Sequence, residues 1–102
     1  NTAASVEASM EACDLGADAL LVVTPYYNRC SDAGLIKHFL AIADASSVPV
    51  IVYNVPARTG VNITPQVRNE ISQHDNIVGL KEACGNIAQI METVRLCPGI
   101  DL

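Results

Sequence analysis

Few residues in this chain can attack a carbonyl, move a proton or grip an anion, and most of them stand at the ends of apolar runs. Lys81 closes the run Ile77-Val78-Gly79-Leu80, with Glu82 directly after it. The only other lysine, Lys37, sits in a polar–apolar helical pattern that favours exposure. A lysine at the mouth of a buried strand is poorly solvated, which disfavours its ammonium form and lowers its pKa. Its free amine can then condense with a ketone to form a Schiff base. Tyr53 ends a second run, Val50-Ile51-Val52, and a phenol within hydrogen-bond reach acts as both acid and base. Arg58, a few residues on, offers a planar fork of donors to a carboxylate. Tyr26 and Tyr27 follow a third run, Ala19 to Val23. An amine, a phenol and a guanidinium at neighbouring strand ends describe the capture of a 2-oxo acid. Arg29 and Glu82 read as solvated or ion-paired residues, and Cys84 as a small buried thiol rather than a nucleophile.

The elements that must position these groups alternate. Residues 2–15 carry Val6, Met10 and Cys13 at near-helical spacing, with Gly16 as a stop. A strand over 18–24 is continuously apolar at its centre, as suits a strand covered on both faces in a parallel sheet. The helical period returns over 32–45 with Leu35, Phe39 and Ile42 on one stripe. A second strand covers 49–53, and the Pro and Gly of 54–60 predict a loop. Thr64-Pro65 is an N-cap followed by a first-turn proline, opening a helix to about His74. The third strand is 77–81. Asn86 caps a last helix with Ile87, Ile90, Met91 and Val94 at i, i+3, i+4 and i+7, and 100–102 begin a further strand.

Strand starts near 19, 49 and 77 give a repeat of about 30 residues, the size of a β-α unit. Such alternation means parallel strands with right-handed crossovers. A doubly wound sheet loses ground because no G-x-G-x-x-G or G-x-x-x-x-G-K-[ST] loop follows a strand. The remaining fold class is α/β, part of a (β/α)8 TIM barrel. A whole barrel needs roughly 250 residues, so residues 1–102 read as an internal segment of about three and a half units. Asn1 is not a start methionine, in keeping with a beginning lost or processed away. Strand alternation puts Tyr53 on the face of Ile51, and Lys81 on the face of Gly79 and Ile77. With Leu20, Val22, Ile51, Ile77 and Gly79 all facing the barrel interior, Tyr53 and Lys81 converge over one cavity.

Composition narrows the function. Half the residues are hydrophobic, 17% are charged and the net charge is −5, which leaves nucleic acid no electrostatic footprint. The longest apolar run is far short of the ~20 residues that span a bilayer, and no signal segment opens the chain. Cysteines at 13, 30, 84 and 97 form no C-x-x-C, and His38 and His74 form no H-E-x-x-H. No metal and no cofactor are expected. Scattered thiols in an apolar chain fit a reduced, cytoplasmic protein.

Three linked motifs carry a family resemblance through all 102 residues: Thr24-Pro25-Tyr26-Tyr27-Asn28, Tyr53-Asn54-Val55-Pro56-Ala57-Arg58-Thr59-Gly60, and Gly79-Leu80-Lys81-Glu82-Ala83. The chain resembles the dihydrodipicolinate synthase (4-hydroxy-tetrahydrodipicolinate synthase) family. That resemblance implies a cytoplasmic, homo-oligomeric (β/α)8 barrel, dimer or tetramer, that condenses pyruvate with L-aspartate 4-semialdehyde on the route to lysine and diaminopimelate. It implies a class I, Schiff-base lyase with Lys81 as the Schiff-base lysine and Tyr53 as proton donor and acceptor. Arg58 would bind carboxylate at the site entrance. Tyr27 would enter the neighbouring subunit's site to complete a proton relay, with Tyr26 packed at the same interface.

Related 2-oxo acid aldolases, of the N-acetylneuraminate lyase and 2-keto-3-deoxygluconate types, share the lysine and first tyrosine. They typically lack Arg58 and the second tyrosine of P-Y-Y-N, and this chain has both. Cys30 stands where many members of the family have proline, and Cys84 where threonine or serine is usual. Ala4 replaces a glutamate frequent in lysine-inhibited members. The threonine pair of the relay and the far pyruvate-binding strand ends belong to strands outside this sequence. Alone, the chain is therefore expected to be catalytically silent; the non-catalytic reading is a half-barrel module that assembles with other copies.

Overall fold

The computed structural model describes residues 2–24 and 31–96. The order is α1 (Thr2–Asp14), β1 (Leu20–Val23), α2 (Asp32–Ala45), β2 (Val50–Asn54), α3 (Pro56–Thr59), α4 (Pro65–Ile71), β3 (Ile77–Glu82) and α5 (Ile87–Leu96). The three strands form one sheet in the order β1-β2-β3, every pair parallel. Parallel neighbours need crossovers, and each crossover here is helical.

Local chemistry explains most boundaries. Ser31 opens α2 by accepting from the Gly34 N–H at 3.1 Å, and Thr64 opens α4 by accepting from Val67 N–H at 3.2 Å, with Pro65 in the first turn. Asn86 caps α5 by accepting from Gln89 N–H at 3.1 Å. The segment 54–60 is not wholly loop: α3 is a single helical turn, started by Pro56 and stopped by Gly60 at φ 72°. A β-carbon is strained at that angle, so glycine ends the turn where other residues would resist. The start of β3 is tied to α2 by Asn76, whose Nδ2 donates to the carbonyls of Ala43, Ser46 and Val48.

One face of the sheet is dry. Leu20, Val50, Val52 and Ile77 pack against Leu35, Phe39 and Ala43 of α2, Val67 and Ile71 of α4, and Val61 and Ile63 before it. Val22 packs against this core and Leu80 is buried at 2% exposure. The expectation that Leu20, Val22 and Ile77 face the barrel interior is thus overturned: all three lie on the helix-covered face. β1 alternates as predicted, but in the opposite phase. In β3 the cause is a bulge. Val50 pairs with Ile77, but Ile51 pairs with Gly79, so Val78 is an extra residue that reverses the alternation. Beyond it Gly79 and Lys81 share the open face with Ile51 and Tyr53, as expected. Leu21, at 55% exposure, belongs to the same open face.

The predicted stripe of α5 also behaves differently. Ile87, Met91 and Val94 are exposed and Thr93 is the buried residue, because α5 packs on α4 rather than on the sheet. The strand expected from 100–102 lies outside the described residues.

Candidate active site

Two paired strand positions build the centre. Tyr53 on β2 is in register with Lys81 on β3. Both stand at the C-terminal ends of their strands, where α/β folds place their sites. The Lys81 Nζ lies 4.6 Å from the centroid of the Tyr53 ring. An ammonium over an aromatic face is attracted by the ring quadrupole, so the pair holds lysine and phenol side by side. The bulge at Val78 is what permits this; an unbroken ladder from Ile77 would turn Lys81 to the helices.

The expected desolvation of Lys81 is not met in this chain. Its side chain is exposed and Tyr53 is half-buried, because both project from the face of the sheet that no described helix covers. Arg58 stands on the single turn α3, exposed, with no side-chain hydrogen bond or ion pair among the described residues. It is near the Tyr53 strand end in sequence but is not joined to the Lys81–Tyr53 pair. Tyr26, Tyr27, Arg29 and Cys30 lie outside the described residues.

Behind the centre runs a polar network that sequence reasoning missed. Asn54 is fully buried, and its Nδ2 donates to Glu82 Oε1 at 2.8 Å and to Asn62 Oδ1 at 3.0 Å. Its Oδ1 accepts from Ile63 N–H at 3.0 Å. Glu82 Oε1 also accepts from Cys84 N–H at 3.2 Å, so this carboxylate, expected to be solvated or ion-paired, is instead held by two neutral donors. Asn62 and Gln89 exchange amide hydrogen bonds at 2.9 and 3.1 Å, and Gln89 Nε2 donates to the Ile63 carbonyl at 3.2 Å. The network joins the ends of β2 and β3 to α5. A signal existed: Asn54 continues the buried series Val50, Val52, where a polar side chain demands partners.

Cys84 is half-buried, and burial, the largest influence on it, pushes its thiol above its ordinary value. Its Sγ accepts from Asn86 N–H at 3.4 Å, which fits the structural reading of this thiol. Thr24 at the end of β1 is buried, and its hydroxyl has no partner among the described residues. Among those residues no cluster of three or more His, Cys, Asp or Glu is arranged to hold a metal ion, and no helix is long and apolar enough to cross a membrane.

Fold and site define a class first: parallel β-α units forming part of a (β/α)8 barrel, with a lysine and a tyrosine paired at adjacent strand ends. A dihydrodipicolinate synthetase family model matches residues 1–99, and the chain belongs to that family. A 4-hydroxy-tetrahydrodipicolinate synthase of Caldicellulosiruptor saccharolyticus is 54% identical over 102 residues, covering 100% of this chain and 35% of its own length. A crystal structure of a dihydrodipicolinate synthase superposes with a TM-score of 0.94 at 39% identity, covering 100% of this chain and 36% of the other. The chloride-inhibited dihydrodipicolinate synthase of Acinetobacter baumannii, solved with pyruvate, gives a TM-score of 0.91 at 41% identity over 97% of this chain and 34% of its own. The chain spans about a third of the length of the curated relatives it matches.

Proposed function

We propose that residues 1–102 are an internal segment of a barrel that supplies the Schiff-base lysine of a class I, pyruvate-condensing synthase. The observation that carries this reading is Lys81 Nζ at 4.6 Å from the Tyr53 ring centroid on paired strand ends. Family membership supports the same chemistry. The Lys81 amine adds to C2 of pyruvate, and the resulting carbinolamine loses water to give an imine. Tyr53 supplies the proton that turns the hydroxyl into that departing water, and takes one back in the steps that follow. Loss of a methyl proton converts the imine to an enamine, whose carbon adds to the aldehyde of L-aspartate 4-semialdehyde. Displacement of Lys81 by the substrate's own amine closes the ring and frees the enzyme.

Arg58 grips the semialdehyde carboxylate, which favours the synthase over a sugar-derived aldol substrate. Tyr27 completes the proton relay from a neighbouring subunit and Tyr26 packs beside it, so the working form is a homo-oligomer. The setting is cytoplasmic lysine and diaminopimelate biosynthesis. The 102 residues alone turn over no substrate, because the rest of the pocket wall is contributed by other strands. Borohydride reduction in the presence of pyruvate tests the reading in the full-length protein carrying these residues. Peptide mapping should find the reduced adduct at Lys81; an adduct at Lys37, or none, would remove the assignment.

A further inference from the structure

The bulge at Val78 leaves β3 with two ways to continue beside β2. In the observed pairing Tyr53 meets Lys81 and Asn54 meets Glu82. Without the extra residue, Tyr53 would meet Leu80 and Asn54 would meet Lys81. A one-residue slip turns every following side chain to the opposite face. Lys81 would then point among the helices and Leu80 into the open face. Backbone ladder bonds are the same kind in either register, so side chains must choose. Leu80, buried at 2% exposure on the face of Val52, favours the bulged register. It does so one pair before the reacting residues, and a packed leucine tolerates small shifts.

The pair that follows is more exacting. Asn54 is fully buried and held from three sides: Ile63 N–H donates to its Oδ1, and its Nδ2 donates to Asn62 and Glu82. Glu82 Oε1 is fixed in turn by Cys84 N–H. The Ala83 N–H also donates to the Asn54 carbonyl at 2.8 Å, closing the ladder beyond the pair. The side-chain bond between Asn54 and Glu82 exists only when those residues are laterally adjacent, which is the bulged register.

We propose that Asn54 and Glu82 are positioning residues, whose cross-strand hydrogen bond locks the bulged register and so holds Lys81 against Tyr53. They act from the covered face of the sheet and touch no substrate. This rests on the Schiff-base reading of Lys81, and it adds that the reach of Glu82, rather than its charge, sets how well the amine is placed.

The test uses the full-length enzyme carrying these residues, with the rate of borohydride-trapped pyruvate adduct as readout and thermal melting alongside. Glu82→Asp keeps the charge and shortens the reach. It should slow trapping by about ten- to a hundredfold, the scale of a reacting group misplaced by about 1 Å. Glu82→Gln keeps the reach and an acceptor oxygen, and should recover most of that loss. Asn54→Ala and Glu82→Ala combined should fall short of the product of their separate effects, since both remove the bond they share. Trapping in Glu82→Asp at the parent rate, with only the melting temperature lowered, would overturn the proposal. So would a Gln variant slower than the Asp variant, which would make Glu82 an ionised participant. Failure of the parent enzyme to trap pyruvate at Lys81 would overturn the Schiff-base reading itself, and the two failures are thereby distinct.

Discussion

The two faces of one three-stranded sheet behave as different materials. Leu20, Val50, Val52, Ile77 and Leu80 are each at most 8% exposed beneath α2 and α4, whereas Leu21 is 55% exposed on the other side. Both faces are built from the same apolar strands. What separates them is that the crossover helices α2 and α4 both pack on one side, as right-handed βαβ connections require. The covered face holds the fold together and carries no proposed chemistry. The open face carries Tyr53 and Lys81, and it is the Asn54–Glu82 bond on the covered face that ties their strand ends together. Stability and reactivity are thus divided between faces and joined at the rim.

The sharpest break of that comparison is Lys81→Ala in the full-length protein. Turnover and pyruvate trapping should vanish while the melting temperature stays near the parent's, since Lys81 contributes nothing to the covered core. A large drop in melting temperature would mean that the open face also stabilises the fold. In the 102-residue chain the complementary changes are Phe39→Ala and Leu21→Ala. Phe39 is fully buried, and its truncation should cost about 3–5 kcal/mol in denaturant unfolding. Leu21→Ala should stay within about 0.5 kcal/mol. Equal costs would erase the distinction between the faces. Among the described residues β1 and β3 each have a strand neighbour on one side only, so sedimentation of the same chain should show association beyond a monomer.

Arg58→Ala sharpens the open side. On the proposed role, loss of a charge-assisted hydrogen bond to the semialdehyde carboxylate should weaken kcat/KM by about 1.5–3 kcal/mol, and unchanged kinetics would favour a sugar-derived substrate. The smallest effect belongs to the covered side. His38 is buried at 4% exposure beside Phe39, and burial lowers its pKa from 6.5. The unfolded chain therefore binds more protons as pH falls through 6.5, and the folded state loses stability until its own lower pKa is passed. Melting temperature should fall below pH 6.5, and His38→Gln should flatten that fall.

Periodicity and capping residues determined much of this chain without tertiary information. The helix over 32–45 matches α2 (Asp32–Ala45), and the Thr64-Pro65 and Asn86 caps stand where predicted. The strands around 19, 49 and 77 are parallel as their spacing implies. These features are local: a cap needs only its own turn, and a β-α repeat needs only its length. The tertiary structure decided which face of each strand is covered, because alternation gives a period but not a phase. It decided the register of β3 as well, since Val78 reads as an ordinary strand residue until Gly79 is seen opposite Ile51. The stripe of α5 reads as buried, yet Ile87 and Met91 are exposed, because a helix's apolar face names no partner. Glu82 reads as a solvated or ion-paired residue until Asn54, twenty-eight positions away, supplies a neutral partner. A sequence lists hydrogen-bond donors and acceptors, but only the folded chain brings them within 3 Å of each other.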